Sequence, residues 1–275
     1  MIRFACADFT FPILLHDKVL ALLALMDFEF VDIGLFTDRS HLQPGDQLDE
    51  PEKKGAILRE KATLHGLEIS DIFLQSSLDF RECAINHTVP KIRASERERF
   101  RRLVDYSAAA GSRHITGLPG VLFDADSDAV CIEEMAWRYE FSKKFGITYA
   151  VEPHFGSIME DPAHAAELLK AAPGTSIALD HSHYTAQGFG VDALKPLAKF
   201  ASHVHTRGAA PGEVQTSFAR NKTDFSAVVE HLRSVDYGGV ICLEYCYIDW
   251  KNCNRTDNIS ETLLLREHLA DLLNV

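Results

Sequence analysis

Apolar residues along the chain gather into eight short runs, and between the runs they recur at helical spacing. The runs lie at 2–7, 28–36, 67–74, 114–118, 147–152, 176–180, 202–206 and 239–245. Each is short and dense in Val, Ile, Leu, Phe or Ala, as expected of strands buried on both faces. Amphipathic patterns at 13–25, 51–65, 91–110, 128–145, 161–171, 192–200, 224–234 and 258–273 predict a helix after every strand. Asp161-Pro162 and Thr223-Asp224 read as helix starts, and Gly66, Gly111 and Gly146 as helix stops. Strict alternation predicts an α/β fold with a parallel sheet and crossover helices, which eight units close most simply as a (β/α)8 barrel. An open doubly wound sheet would carry a glycine-rich turn after its first strand, whereas 8–12 reads DFTFP. No linker-like tract divides the series, so residues 1–275 are expected to form a single domain.

Four polar residues break this pattern at one kind of place. Glu152, Asp180, His205 and Glu244 each stand where an apolar run gives out, at the carboxyl end of a predicted strand. In a barrel that end carries the active site. A desolvated carboxylate needs compensation, and three carboxylates with an imidazole supply it by sharing a divalent cation. Three predicted strand-to-helix loops, at 37–49, 75–90 and 206–221, exceed the usual length of about 2–6 residues and are expected to shape a pocket.

Charge and composition narrow the partners. A formal charge of −12 argues against nucleic acid, because that affinity rests on Lys and Arg neutralising phosphates. The richest basic stretch, 91–103, is interrupted by Glu96 and Glu98 and reads as a solvated helix face. No apolar stretch reaches the ~18 residues of a membrane span. The opening MIRFACADF lacks the layout of a signal peptide, and six scattered cysteines fit reduced thiols, so a cytoplasmic location is expected. Cys242, Cys246 and Cys253 lack the paired spacing of a zinc site.

Glu at the end of strand five, Asp at six, His at seven and Glu at eight resembles the sugar isomerase and epimerase family with xylose isomerase-like TIM barrels. The most specific parts are Asp180-His181-Ser182-His183, which looks like the family's Asp-x-x-His, and the His-Val-His run ending in His205. The resemblance implies that Glu152, Asp180, His205 and Glu244 bind one divalent metal, Mn2+ foremost, with Mg2+ or Co2+ as alternatives. It further implies a small sugar or sugar-acid substrate, with Glu152 and Glu244 as an acid/base pair acting through an enediolate. The resemblance leaves a homo-oligomer open.

His183 matches the family position that contacts substrate. Arg207 shares strand parity with His205 and is expected either to clamp a substrate carboxylate or hydroxyl or to form a surface ion pair. His154, two residues beyond Glu152, is expected to support that ligand or to contact substrate. His203 reads as a hydrogen-bonded core histidine, His114 as lying at the far end of the barrel, and His41 and His87 as loop residues. His16, His65, His164, His181, His231 and His268 show no compelling neighbours.

Three other functions are weighed against isomerisation. A lyase, decarboxylase or dehydratase, acting on an oxo-acid sugar would use the same metal site. An abasic-site endonuclease of this fold needs histidines where the chain has Gln75 and Gly117, and an Asp where it has His203. A non-catalytic sugar-binding barrel would be expected to have lost a ligand. The substrate-binding Glu that ketose 3-epimerases carry six positions after the first ligand is Ile158 here, which puts free ketohexose epimerisation in question.

Overall fold

The computed structural model describes residues 2–274. Its strands are β1 (Arg3–Ala7), β2 (Phe30–Phe36), β3 (Glu68–Gln75), β4 (His114–Gly117), β5 (Thr148–Val151), β6 (Ser176–Asp180), β7 (Ala201–Thr206) and β8 (Val240–Leu243). They pair in chain order, all parallel, and β8 returns to β1, closing the barrel. Each lies within two residues of its predicted run at either end.

The helices are α1 (His16–Leu25), α2 (Pro44–Asp49), α3 (Pro51–Leu64), α4 (Pro90–Ala110), α5 (Ser127–Ser142), α6 (Pro162–Ala171), α7 (His181–Ala186), α8 (Lys195–Ala198), α9 (Phe225–Ser234) and α10 (Asn258–Leu273). The start signals act as expected. Asp161 accepts from the His164 backbone N–H at 2.9 Å, and Asp224 from that of Ala227 at 3.1 Å. Gly111 and Gly146 end their elements at φ 82° and 66°, left-handed values that cost glycine least. Two short helices were not anticipated. Pro44-Gly45-Asp46 carries a turn-like composition yet opens α2, and α7 begins directly at the end of β6, capped by Asp180 through the Ser182 N–H at 2.7 Å.

Two cores result from the alternation of strand side chains. Outward-facing residues such as Ile33, Ile72, Ile115, Tyr149 and Val204 pack with Leu103, Val104 and Leu232 from the helices. The close approach of α3 to α4 requires Gly55, where a Cβ would meet Tyr106 O at 2.3 Å.

Inside the barrel, Ala5, Ala7, Phe9, Phe36, Phe73, Val240 and Cys242 form a smaller apolar cluster. Gly34 on β2 makes room for it, since a Cβ there would lie 2.5 Å from Phe9 Cδ1. A polar network occupies another part of the interior. Asp32 bonds His203 at 2.6 Å, Asp71 bonds His114 at 2.6 Å, and His114 also bonds Ser202 at 2.8 Å. Two register shifts in the sheet serve this network. Ser70 is the extra residue between the pairs Val31–Ile69 and Asp32–Asp71, and its hydroxyl donates to Asp32 at 2.5 Å. Ser202 is likewise extra between Ile177–Ala201 and Ala178–His203. Each bulge re-aims a hydroxyl into the barrel.

Candidate metal centre

Inward parity along β5 to β8 brings Glu152, Asp180, His205 and Glu244 to the carboxyl-end mouth of the barrel, all buried. The possible ligand atoms of Glu152, His205 and Glu244 lie within 4.8 Å of one another, as do those of Glu152, Asp180 and His183. Glu152 belongs to both groups. His205 turns Nδ1 toward Glu152 Oε1 at 2.5 Å and Glu244 Oε1 at 3.8 Å, while its Nε2 faces Asp32 Oδ2 at 3.6 Å.

Arg207 follows on the same parity, and its guanidinium lies between the two groups. It donates to Asp180 Oδ2 at 2.8 Å, to Glu244 Oε2 at 2.9 Å and to Ser182 Oγ at 3.0 Å, with His183 Nε2 at 3.3 Å. At 4% exposure it is no surface ion pair, and its fork is bound to the protein's own carboxylates instead of standing open. His183 sits 3.5 Å from Asp180. His154 touches no atom of Glu152 by hydrogen bond; its Nδ1 bonds Phe155 O at 2.8 Å, leaving Nε2 buried without a partner.

Electrostatics within this enclosure report a shortage of positive charge. Burial drives the Glu244 carboxyl up to about 8, against the opposing pull of Arg207 and His205 and with the help of Glu152 and Asp180. Burial raises Glu152 also, although its His205 hydrogen bond opposes the rise. Asp180 feels the same desolvation, yet Arg207 and His183 hold it down at about 2. His205 goes the other way, because Glu244, Asp32 and Glu152 outweigh its burial and keep it protonated. Burial lowers His183 to about 3 and His154 to about 4, so both are neutral rings. Three carboxylates, one of them holding a proton near neutrality, and an imidazole carrying a second proton are a donor set that fits a divalent cation.

A pH dependence follows from these directions. Metal ligands must be deprotonated, so if these groups hold a metal its affinity is expected to climb as pH rises through about 8, with protons released from Glu244 and His205 on binding. Titration calorimetry in two buffers of different ionisation enthalpy checks this, and a pH-independent affinity would contradict it. The stability of the metal-free protein runs oppositely. The raised Glu244 contributes stability below its ordinary value of 4.5, and that contribution is lost as pH rises through about 8.

Glu152 and Glu244, with His154, His183 and Arg207, open into a pocket at this end of the barrel. Its floor is Glu152, His154, His183, Arg207 and Glu244, and its walls include Phe9, Phe36, Phe80, Leu118, Ile248 and Trp250. Phe80, from the long loop after β3, packs edge-on against His154 with ring centres 4.5 Å apart. Arg39, Gln75, Cys246 and Cys253 complete the lining. Sequence reasoning did not find Asp32, Asp71, Arg39 or Trp250. A signal existed for the first two, which are acids at inward parity amid the apolar residues of FVDIGLF and EISDIFLQ. His114 is at the amino end of the barrel as expected but joins the interior network. His16, His65, His164 and His231 do have acidic neighbours, with Asp8, Asp17 and Asp128 at 3.1 Å from the first three and Asp192 at 3.4 Å from the last.

Similar folds are known. An L-ribulose 3-epimerase structure superposes with a TM-score of 0.77 at 16% identity, covering 100% of this chain and 95% of that one. A D-tagatose 3-epimerase-like protein gives 0.77 at 18% identity, covering 99% of each chain. A probable 3-DHS dehydratase involved in petrobactin synthesis, from Bacillus anthracis, gives 0.71 at 14% identity, covering 96% of this chain and 99% of that one. No curated protein matches the chain significantly. The xylose isomerase-like TIM barrel family model matches residues 20–268, which together with the closed eight-stranded barrel makes the chain a member of that family.

Proposed function

We propose that the chain is a single-domain, divalent-metal-dependent isomerase or epimerase of a small sugar or sugar acid. Glu152, Asp180, His205 and Glu244 would hold one ion, Mn2+ foremost, with Mg2+ or Co2+ as alternatives. The observation that carries this is three carboxylates enclosed together, with Arg207 and His205 as the charged groups paired to them among the described residues. When bound, the ion supplies Lewis-acid stabilisation of negative charge developing on a substrate carbonyl oxygen.

The chain's own groups account for the rest. Glu152 from β5 and Glu244 from β8 flank His205, so two carboxylates stand beside one reaction centre. One removes the proton from the carbon next to the carbonyl and the other returns a proton, which inverts a centre or moves the carbonyl according to the carbon that receives it. Arg207 fixes Asp180 and Glu244 in position through its planar fork. The His154 Nε2 accepts a hydrogen bond from a substrate hydroxyl, and the aromatic walls keep bulk water from the intermediate.

Loss of water or carbon dioxide from the same intermediate is the second reading, supported by the likeness to a dehydratase as well as to epimerases. One experiment separates these outcomes. The purified protein is expected to carry one divalent ion per chain and, in D2O, to place deuterium on carbon in a ketose or sugar acid from a panel. Chelation should stop the exchange and Mn2+ restore it. Release of carbon dioxide or water would select the lyase, and the absence of both metal uptake and exchange would overturn the reading altogether.

A further inference from the structure

Arg39 is the one cation lining the pocket without an acidic partner among the described residues. It is partly exposed, and its guanidinium makes no hydrogen bond or ion pair, although five donors are available. Asp38 and Asp249 line the neighbouring outer groove with it, yet neither forms an ion pair with Arg39. The backbone that carries Arg39 is tightly held. Ser40 Oγ accepts from Phe36 N–H at 2.8 Å and donates to Leu42 O at 2.8 Å. Gln43 accepts from Asp38 N–H at 2.8 Å and donates to Ser40 O at 2.8 Å. Thr37 Oγ1 donates to Ser76 O at 3.0 Å, tying the loop to the start of the β3–α4 connection. The loop backbone is therefore held in place, while the Arg39 guanidinium has no acceptor.

Charge in the pocket points the same way. Arg207 is already engaged by Asp180 and Glu244, and a divalent ion with Arg207 would balance the three carboxylates. Arg39 then stands as a cation without an ion pair in a pocket lining that it shares with Phe9, Phe36, Ile248 and the acidic groups. A neutral sugar gives a guanidinium only weak acceptors, whereas a carboxylate or phosphate matches its fork with two charge-assisted bonds.

We propose that Arg39 is the anion-recognition residue of this pocket, and that the substrate is a small sugar bearing an anionic oxygen group at the end remote from Glu152 and Glu244. This rests on the reading of the site as a sugar isomerase or epimerase and selects sugar acids or sugar phosphates over free ketoses within it.

The test is calorimetric binding of xylonate, xylitol and xylitol 5-phosphate to the Mn2+-loaded protein and to Arg39→Gln and Arg39→Lys variants. Among the described residues the Arg39 side chain makes no hydrogen bond or ion pair that its replacement would break. At least one anionic ligand is expected to bind about 10- to 100-fold more tightly than xylitol. Arg39→Gln should erase that ratio and Arg39→Lys retain part of it. The preferred anion, xylonate or the phosphate, identifies the group recognised. A preference that survives in Arg39→Gln would mean that the anion sits on the metal, and equal binding of all three ligands would mean that charge is not read; either overturns the inference and leaves the proposed function standing. Failure of every ligand to bind the wild-type protein would overturn both.

Discussion

Glu152→Gln and Glu244→Gln are each expected to lower the rate of carbon-bound deuterium exchange by about 10⁴-fold, the upper range for loss of a positioned acid or base. Glutamine preserves volume and an acceptor oxygen, so the His205 Nδ1 that now faces Glu152 at 2.5 Å keeps a partner. What disappears is the negative charge and the capacity to carry a proton. In the metal-free protein Glu244 already holds a proton near neutrality, so a neutral glutamine there changes little charge, whereas Glu152→Gln takes the charged partner from a protonated His205. Thermal stability without metal should therefore stay level in Glu244→Gln while turnover collapses. That combination distinguishes a chemical role from a structural one. Near-normal exchange in both variants would sink the acid/base assignment.

Asp32→Ala is expected to destabilise the protein by about 3–5 kcal/mol, the usual cost of removing one partner of a buried ion pair. For a chain of this size that corresponds to a melting temperature lower by about 10 °C. Asp32 has 1% exposure and holds His203 at 2.6 Å and the Ser70 hydroxyl at 2.5 Å. Burial alone would raise its carboxyl, but the charge and hydrogen bond of His203 keep it well below the ordinary carboxylate range. Truncation leaves the imidazole facing a void with no acceptor. A double replacement, Asp32→Ala with His203→Phe, should recover much of the loss, because it removes the stranded polar group together with its partner. Differential scanning calorimetry of the two variants gives the answer, and equal stability of Asp32→Ala and wild type would show that the interior network does not hold the barrel together.

The eight strands were legible because both determinants of a parallel barrel strand are local. The apolar runs must be continuous, since each strand is covered on two sides, and the helices between them announce themselves through Asp161, Asp224, Gly111 and Gly146. The positions of Glu152, Asp180, His205 and Glu244 were legible for the same reason: a charge at the end of such a run is costly unless something pairs with it. Helix α2 was hidden because Pro44-Gly45 has turn composition, and proline suits a first helical turn as well as a loop. Helix α7 was hidden because its residues, HSHYTA, carry little helical periodicity over six positions.

By itself the sequence determined the alternation of strands and helices, the barrel class and the four strand-end polar residues, since periodicity and the cost of burying charge are properties of nearby residues. Only the tertiary structure decided what those groups meet. Arg207 is followed by glycine and alanine in the chain, and its pairing with Asp180 and Glu244 depends on strands 27 and 37 residues away converging at the mouth of the barrel. Asp32 and His203 are 171 residues apart. The bulges at Ser70 and Ser202, the wall of Phe9, Phe36 and Ile248, and the isolation of Arg39 likewise arise from closure of the sheet. Closure sets distances between residues remote in sequence, and local pattern contains no measure of those distances.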